Sequence, residues 1–153
     1  MPKLDLAGIP RHRGSGYPSP FDREPANRVR RRLGDAGGLS QFGVNLIELP
    51  PGAWSSQRHW HSDEDEFVFV VSGEVVLITD GGEEVLHAGD CAAFPRGSPV
   101  GHHLVNRSAA TATCLEVGAR SSVDRVVYPD IDLISEPGLG AYTHRDGTPY
   151  PAK

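Results

Sequence analysis

Apolar positions along this chain fall into short runs that alternate with polar residues or stay continuous briefly, and each is soon cut by glycine, proline or an acidic turn. Such interruption favours strands and turns over long helices. From about Asn27 the pattern reads strand, turn, strand through "RVRRRL", "DAGG" and "LSQFGVNLIELPPG", closed by Pro50, Pro51 and Gly52. "AWSSQRHWH", the acidic turn "SDED" and "EFVFVV" follow, then Ser72-Gly73 and "EVVLIT". Both the Ser72-Gly73 pair and the "DGG" after Thr79 predict hairpins, because glycine supplies the positive φ that such turns require. The flanking strands are therefore expected to be neighbours. Short strands and turns continue at regular spacing to about Ala119, with no βαβ rhythm, which points to an all-β sandwich or small barrel.

The ends of the chain differ from its middle. Residues 1–26 carry many prolines and glycines and little periodicity, so they read as an extended arm that orders only against something else. Residues 27–128 form the barrel domain, and residues 129–153 a tail packing on it. That tail is rich in turn formers and reads as an edge cover or crossing arm rather than a lid, with Tyr142, His144 and Arg145 as parts of the cover. At 153 residues, with 18 Gly and 13 Pro, one domain with one core is the economical arrangement.

A formal charge of -5 argues against nucleic-acid binding through bulk electrostatics. The one basic run, Arg28 to Arg32, reads as a solvated edge strand guarded by its charge. No basic-then-apolar leader opens the sequence and no apolar run reaches the ~18 residues a membrane span needs, so a soluble, cytoplasmic protein is expected. Cys91 and Cys114 lie in predicted strands without metal-type spacing and read as buried reduced thiols.

Candidate chemistry centres on "SQRHWHSDEDEF". Side chains alternate on a strand, so Gln57, His59 and His61 share one face, and two imidazoles so placed can grip one ion. On the next strand Glu66 shares a face with Val68 and Val70. A carboxylate beside valines is costly to bury unless a cation or strong donors compensate it, and a metal meets that need. Gln57 either orients a bound ligand or supports one of the histidines. Downstream, His102 and His103 point to opposite faces of one strand, so one of them joins the site, and periodicity does not choose which. His12 and His87 read as solvated.

In these positions the chain resembles the cupin superfamily. Gly52, His59, His61, Glu66 and Gly73 match that family's first motif, and Gly89, Pro95, Gly97, His102 and Asn106 its second, across about residues 40 to 118. One extra residue separates Gly52 from His59, and the Gly97 to His102 segment is longer by two; loops tolerate such insertions. The resemblance implies a double-stranded β-helix, or jelly roll, with the terminal arms outside it, and its H-x-x-x-N spacing selects His102 over His103. It also implies one divalent transition metal (Fe, Mn, Ni, Cu or Zn) held by His59, His61, Glu66 and His102. The expected function is an enzyme acting on a small oxygen-bearing molecule, by dioxygenase-, decarboxylase-, isomerase- or lyase-type chemistry, or else a non-catalytic small-molecule-binding or sensing module. Phe67, Phe69 and Val71 face away from the ligands, and their apolar character predicts cover by a second copy in a homodimer or by the N-terminal arm.

Overall fold

Alternating side chains need two faces in different surroundings, and the chain supplies them with three antiparallel sheets. The computed structural model describes residues 2–138 and 140–153. In chain order the strands are β1 His12–Arg13, β2 Val29–Arg32, β3 Phe42–Leu49, β4 Trp60–His61, β5 Glu66–Ser72, β6 Glu74–Thr79, β7 Gly82–His87, β8 Cys91–Phe94, β9 His102–Val105, β10 Ala112–Ala119, β11 Val126–Tyr128, β12 Leu133–Ser135 and β13 Tyr142–Thr143. A single helical turn, α1 Leu33–Ala36, joins β2 to β3. The six-stranded sheet runs β1-β2-β3-β10-β5-β8, the three-stranded sheet β7-β6-β9 and the four-stranded sheet β13-β12-β11-β4. This is the all-β jelly-roll architecture the sequence implies.

The main core lies between the six-stranded and three-stranded sheets. Ile47 and Leu49 from β3, Val68 and Val70 from β5, Cys114 from β10, Val75 and Leu77 from β6 and Leu104 from β9 meet there. Ile47, Leu49, Val70 and Val75 are fully buried, each worth about 1.5–3 kcal/mol of transfer free energy. A second cluster, of Tyr17, Tyr128 and Leu133 with Phe21 and Tyr142 against it, ties the N-terminal arm and the C-terminal tail to β11.

Several local expectations need correction. Ser72-Gly73 is a corner where the chain leaves one sheet for another, since β5 pairs with β10 and β8 while β6 pairs with β7 and β9. Gly73 has φ 79 there, and a Cβ would stand 2.8 Å from the Ala112 Cα. The glycine serves a close crossing of backbones. The "DGG" turn is a true hairpin, with Thr79 opposite Gly82. Arg28 is buried, because its guanidinium donates to the Ser55 carbonyl at 2.5 Å and the Gly14 carbonyl at 2.9 Å. Cys114 is buried but Cys91 is exposed, since Cys91 lies on the outer face of the sheet's last strand; both thiols are free.

Candidate metal centre

Three short stretches of backbone bring the site together. His59 and His102 form an antiparallel bridge, with the His59 N–H donating to the His102 carbonyl at 3.2 Å and the reverse bond at 2.9 Å. His61 lies two residues on, in β4, and Glu66 opens β5 on the inner face. Their side chains meet at one carboxylate. His102 Nε2 stands 2.6 Å and His59 Nε2 3.3 Å from Glu66 Oε2, and His61 Nε2 stands 3.2 Å from Oε1. Donor atoms of His59, His61 and Glu66 all lie within 4.8 Å of one another.

Neighbours turn each ring so that Nε2 faces inward. His61 Nδ1 donates to Asp124 Oδ2 at 2.6 Å, and His59 Nδ1 donates to the Gln57 carbonyl at 2.9 Å. His102 has no partner for Nδ1 among the described residues, but Phe94 stacks on its ring at 3.6 Å with the planes 2° apart. In His59 and His61 the outer nitrogen is thus occupied and Nε2 is turned to the carboxylate, the orientation a metal-binding imidazole needs. His103 faces the other way, toward Trp54, and its Nδ1 donates to the Ser56 carbonyl at 2.9 Å.

The electrostatics also suit a cation. Burial pushes the Glu66 carboxyl up, yet His59, His102 and His61 hold it well below the usual carboxylate range. Burial favours neutral His61, but Glu66 and Asp124 outweigh it and raise the pKa to about 9. Burial lowers the His102 pKa, and Glu66 recovers only part of it. Glu66 and Asp124 thus both favour positive charge at the cluster. The donor set fits a divalent transition ion.

Gln57 is placed differently from the expectation. Ser55 to Arg58 form bends rather than strand, so the alternation linking Gln57 to His59 is broken. Its side-chain amide donates to the Phe21 carbonyl at 2.8 Å and to Glu24 at 3.1 Å, away from the ligands. Its backbone carbonyl supports His59 instead.

Two of the cavities that adjoin the cluster also reach His61 and Glu64. One, of about 310 Å³, is walled by Leu77, Ala92, Phe94, Pro95 and Val100. The other, of about 350 Å³, is polar: Arg28, Arg30, Asn45, Glu116, Tyr128 and Tyr142 line it with His59, His61 and Glu66. Glu64 borders both. None of Asp124, Glu64, Arg30, Glu116, Tyr17 or Tyr128 was singled out from the sequence. Only the pairing of β11 with β4, which sets Val126 opposite His61, reveals why Asp124 belongs here.

A jelly roll with three imidazoles and a carboxylate converging inside it defines a cupin. The chain belongs to the cupin superfamily: the Cupin domain family matches residues 45–118. It is similar to a sugar phosphate isomerase of that superfamily from Silicibacter pomeroyi, at 50% identity over 99% of this chain and 98% of that one, with a TM-score of 0.93. A putative sugar phosphate isomerase from Acidithiobacillus ferrooxidans is 34% identical over 77% of this chain and 75% of its own, with a TM-score of 0.72. A predicted oxalate decarboxylase from Thermotoga maritima shares the fold, at 21% identity, 78% and 99% coverage and a TM-score of 0.64. No curated protein matches the chain. Among the described residues no helix is long and apolar enough to cross a membrane.

Proposed function

We propose that this chain is a metal-dependent enzyme acting on a small oxygen-bearing molecule, and that its reaction is the isomerisation of a sugar phosphate. The observation that carries the reading is the convergence of three Nε2 atoms on Glu66 beside a polar cavity of about 350 Å³. His59, His61, Glu66 and His102 would hold one divalent ion, whose chemistry is to polarise a carbonyl or hydroxyl oxygen of the substrate. The two relatives named for sugar phosphate isomerisation favour that chemistry over oxygenation or decarboxylation.

An isomerisation also needs a group that takes a proton from carbon and returns it. Glu64 stands where both cavities meet, and its carboxyl accepts the Ser121 N–H at 2.8 Å. Burial, with Asp124 and Glu66 adding to it, raises its pKa, while Ser121 and His61 oppose the rise. A carboxyl shifted toward neutrality is better matched to such a transfer than a solvated one. The phenols of Tyr128 and Tyr142 offer hydrogen bonds to substrate hydroxyls and shed water from the wall.

The test is metal analysis of the purified protein, followed by aldose–ketose interconversion assays on a panel of phosphorylated sugars, with oxygen uptake and carbon dioxide release followed in parallel. Isomerisation that tracks metal content and stops on chelation supports the reading. Oxygen uptake or carbon dioxide release in its place would overturn the isomerase assignment, and tight ligand retention without turnover would make the protein a binding module.

The second part of the proposal is a homodimer. Phe42, Phe67, Phe69 and Val71 are 40%, 38%, 37% and 49% exposed on the outer face of the six-stranded sheet, with the N-terminal arm already in place. The arm therefore leaves this face open. An apolar sheet face of that kind suits the roughly 800 Å² per partner of a stable interface.

A further inference from the structure

We infer that Arg30 is the anion-holding residue of the polar cavity, so that the ligand carries an oxyanion, phosphate or carboxylate, on the side away from the metal cluster. This rests on the proposal that the cavity beside the cluster is the substrate site, and adds to it the residue that selects the substrate. Three guanidiniums, from Arg28, Arg30 and Arg120, reach the cavity wall. Two are already committed. Arg28 donates to the carbonyls of Ser55 and Gly14, and Arg120 pairs with Asp35 and donates to the Leu39 carbonyl at 3.3 Å.

Arg30 is different. Its side chain makes no hydrogen bond among the described residues, and its buried Nε has no partner there. Its nearest charge, Glu116, lies at 3.6 Å, beyond hydrogen-bond reach, and both side chains remain 27% exposed. Arg31 shares the unpartnered Nε, but its strand partner Leu46 lies on the opposite face of the sheet, away from the cavity. A planar fork of donors left unsatisfied at a cavity wall is matched by the paired oxygens of a phosphate or carboxylate.

The sheet register supplies the rest of the subsite. Asn45 opposes Arg32 on one side and Glu116 on the other, Glu116 opposes Val68, and Gly118 opposes Glu66. Arg30, Asn45, Glu116 and Glu66 thus form a diagonal polar row on one face of four adjacent strands. Beside it Gly43 and Gly118 are paired in the row of Glu66, and the absence of a side chain at Gly43 lets the Arg120 guanidinium lie over it. With Asp35 on Arg120 and Asp124 on His61 counted, a divalent ion would bring the cavity's three arginines and three glutamates to neutrality, and Arg30 would be the guanidinium left to meet an anion.

The experiment measures calorimetric binding of a hexose phosphate, the same hexose without phosphate and the corresponding hexuronate to the metal-loaded protein and its variants. Wild type is expected to bind the charged sugars at least about tenfold more tightly than the neutral one. Arg30→Met should remove that preference with metal content unchanged, and Arg30→Lys should keep part of it. Glu116→Gln, which removes the carboxylate 3.6 Å from the guanidinium, should tighten anion binding about threefold. Loss for both anions assigns a general oxyanion subsite, and loss for the phosphate alone assigns a phosphate subsite. The inference is overturned if wild type does not favour the charged sugars, if Arg30→Met keeps the preference, or if Glu116→Gln weakens binding as Arg30→Met does, which would mark a structural ion pair. Charge preference without turnover would sink the isomerase reading and leave this one standing.

Discussion

Asp124→Asn perturbs the metal centre without removing a ligand. The Asp124 side chain is 7% exposed, its Oδ2 accepts the His61 Nδ1–H at 2.6 Å and its Oδ1 accepts the Asp63 N–H at 2.9 Å. Asparagine keeps the Asp63 bond through its single oxygen and then turns an NH₂ group toward His61. The imidazole must answer by accepting at Nδ1, which puts its hydrogen on Nε2, the nitrogen an ion needs. Loss of such a support weakens metal binding about 10–100-fold, or about 1.4–2.8 kcal/mol. A second signature appears in the metal-free protein. His61 is raised from 6.5 to about 9, against the opposing effect of burial, by Glu66 and Asp124. A folded-state value above the unfolded one means stability that is fully present below pH 6.5 and lost as pH rises through about 9, of order 3 kcal/mol in all. Glu66 is the larger contributor, so Asp124→Asn should flatten that decline by roughly 1 kcal/mol. Metal affinity is read by competition with a chromophoric chelator, and the pH dependence by denaturant unfolding of the chelator-treated protein. An affinity within twofold of wild type, with the same pH curve, would refute the reasoning.

His102→Ala should bind far less than one metal per chain by elemental analysis; full occupancy would remove His102 from the ligand set. In the folded Phe69→Asp monomer a thiol reagent should modify Cys91, the cross-strand partner of residue 69, and Cys114 only on unfolding, because Cys114 is fully buried and burial, with Glu116 nearby, pushes its thiol up to about 12; two fast-reacting thiols would contradict this. Gly73→Ala, with φ 79 and a Cβ 2.8 Å from the Ala112 backbone, should lower stability by about 2 kcal/mol or more in urea, and an unchanged midpoint would mean that the corner relaxes freely. Phe69→Asp should convert a dimer to monomer in light scattering with the fold retained; a wild type already monomeric at micromolar concentration would dispose of the dimer.

How far the sequence was legible depended on the range of the interaction that placed each residue. His59, His61 and Glu66 follow from two-residue alternation on segments that succeed one another in the chain, and the family spacing then picked His102 over His103. The hairpin after Thr79 was legible because its turn chemistry is local. Ser72-Gly73 carries the same local chemistry but joins strands in different sheets, and what decides that is the distant Ala112 backbone. Gln57 was misplaced because alternation was extended into residues that bend. Arg28 and Arg30 were lost inside a charge run that reads as solvent-facing, although β2 is flanked by β1 and β3 and directs Arg30 inward. Asp124 needed the register of β11 against β4, which no local pattern encodes.

The N-terminal arm shows what such long-range placement achieves. It packs on the loop leading into the proposed metal ligands. Gln57 binds the Phe21 carbonyl and Glu24, the Trp54 N–H donates to the Glu24 carbonyl at 3.3 Å, and Arg28 ties the Gly14 carbonyl to that of Ser55. All of these anchors lie just before His59, in a stretch with no strand of its own to fix it. The same arm delivers Tyr17, whose ring lies 5.6 Å from Tyr128 and 5.5 Å from Tyr142, and Tyr128 in turn lies 5.7 Å from His59. Burying Arg28 is unfavourable in itself, since desolvation lowers its pKa. Its two carbonyl bonds offset that cost by fixing the arm and the loop before His59 together, so the segment that walls the cavity also holds the backbone ahead of the first proposed metal ligand.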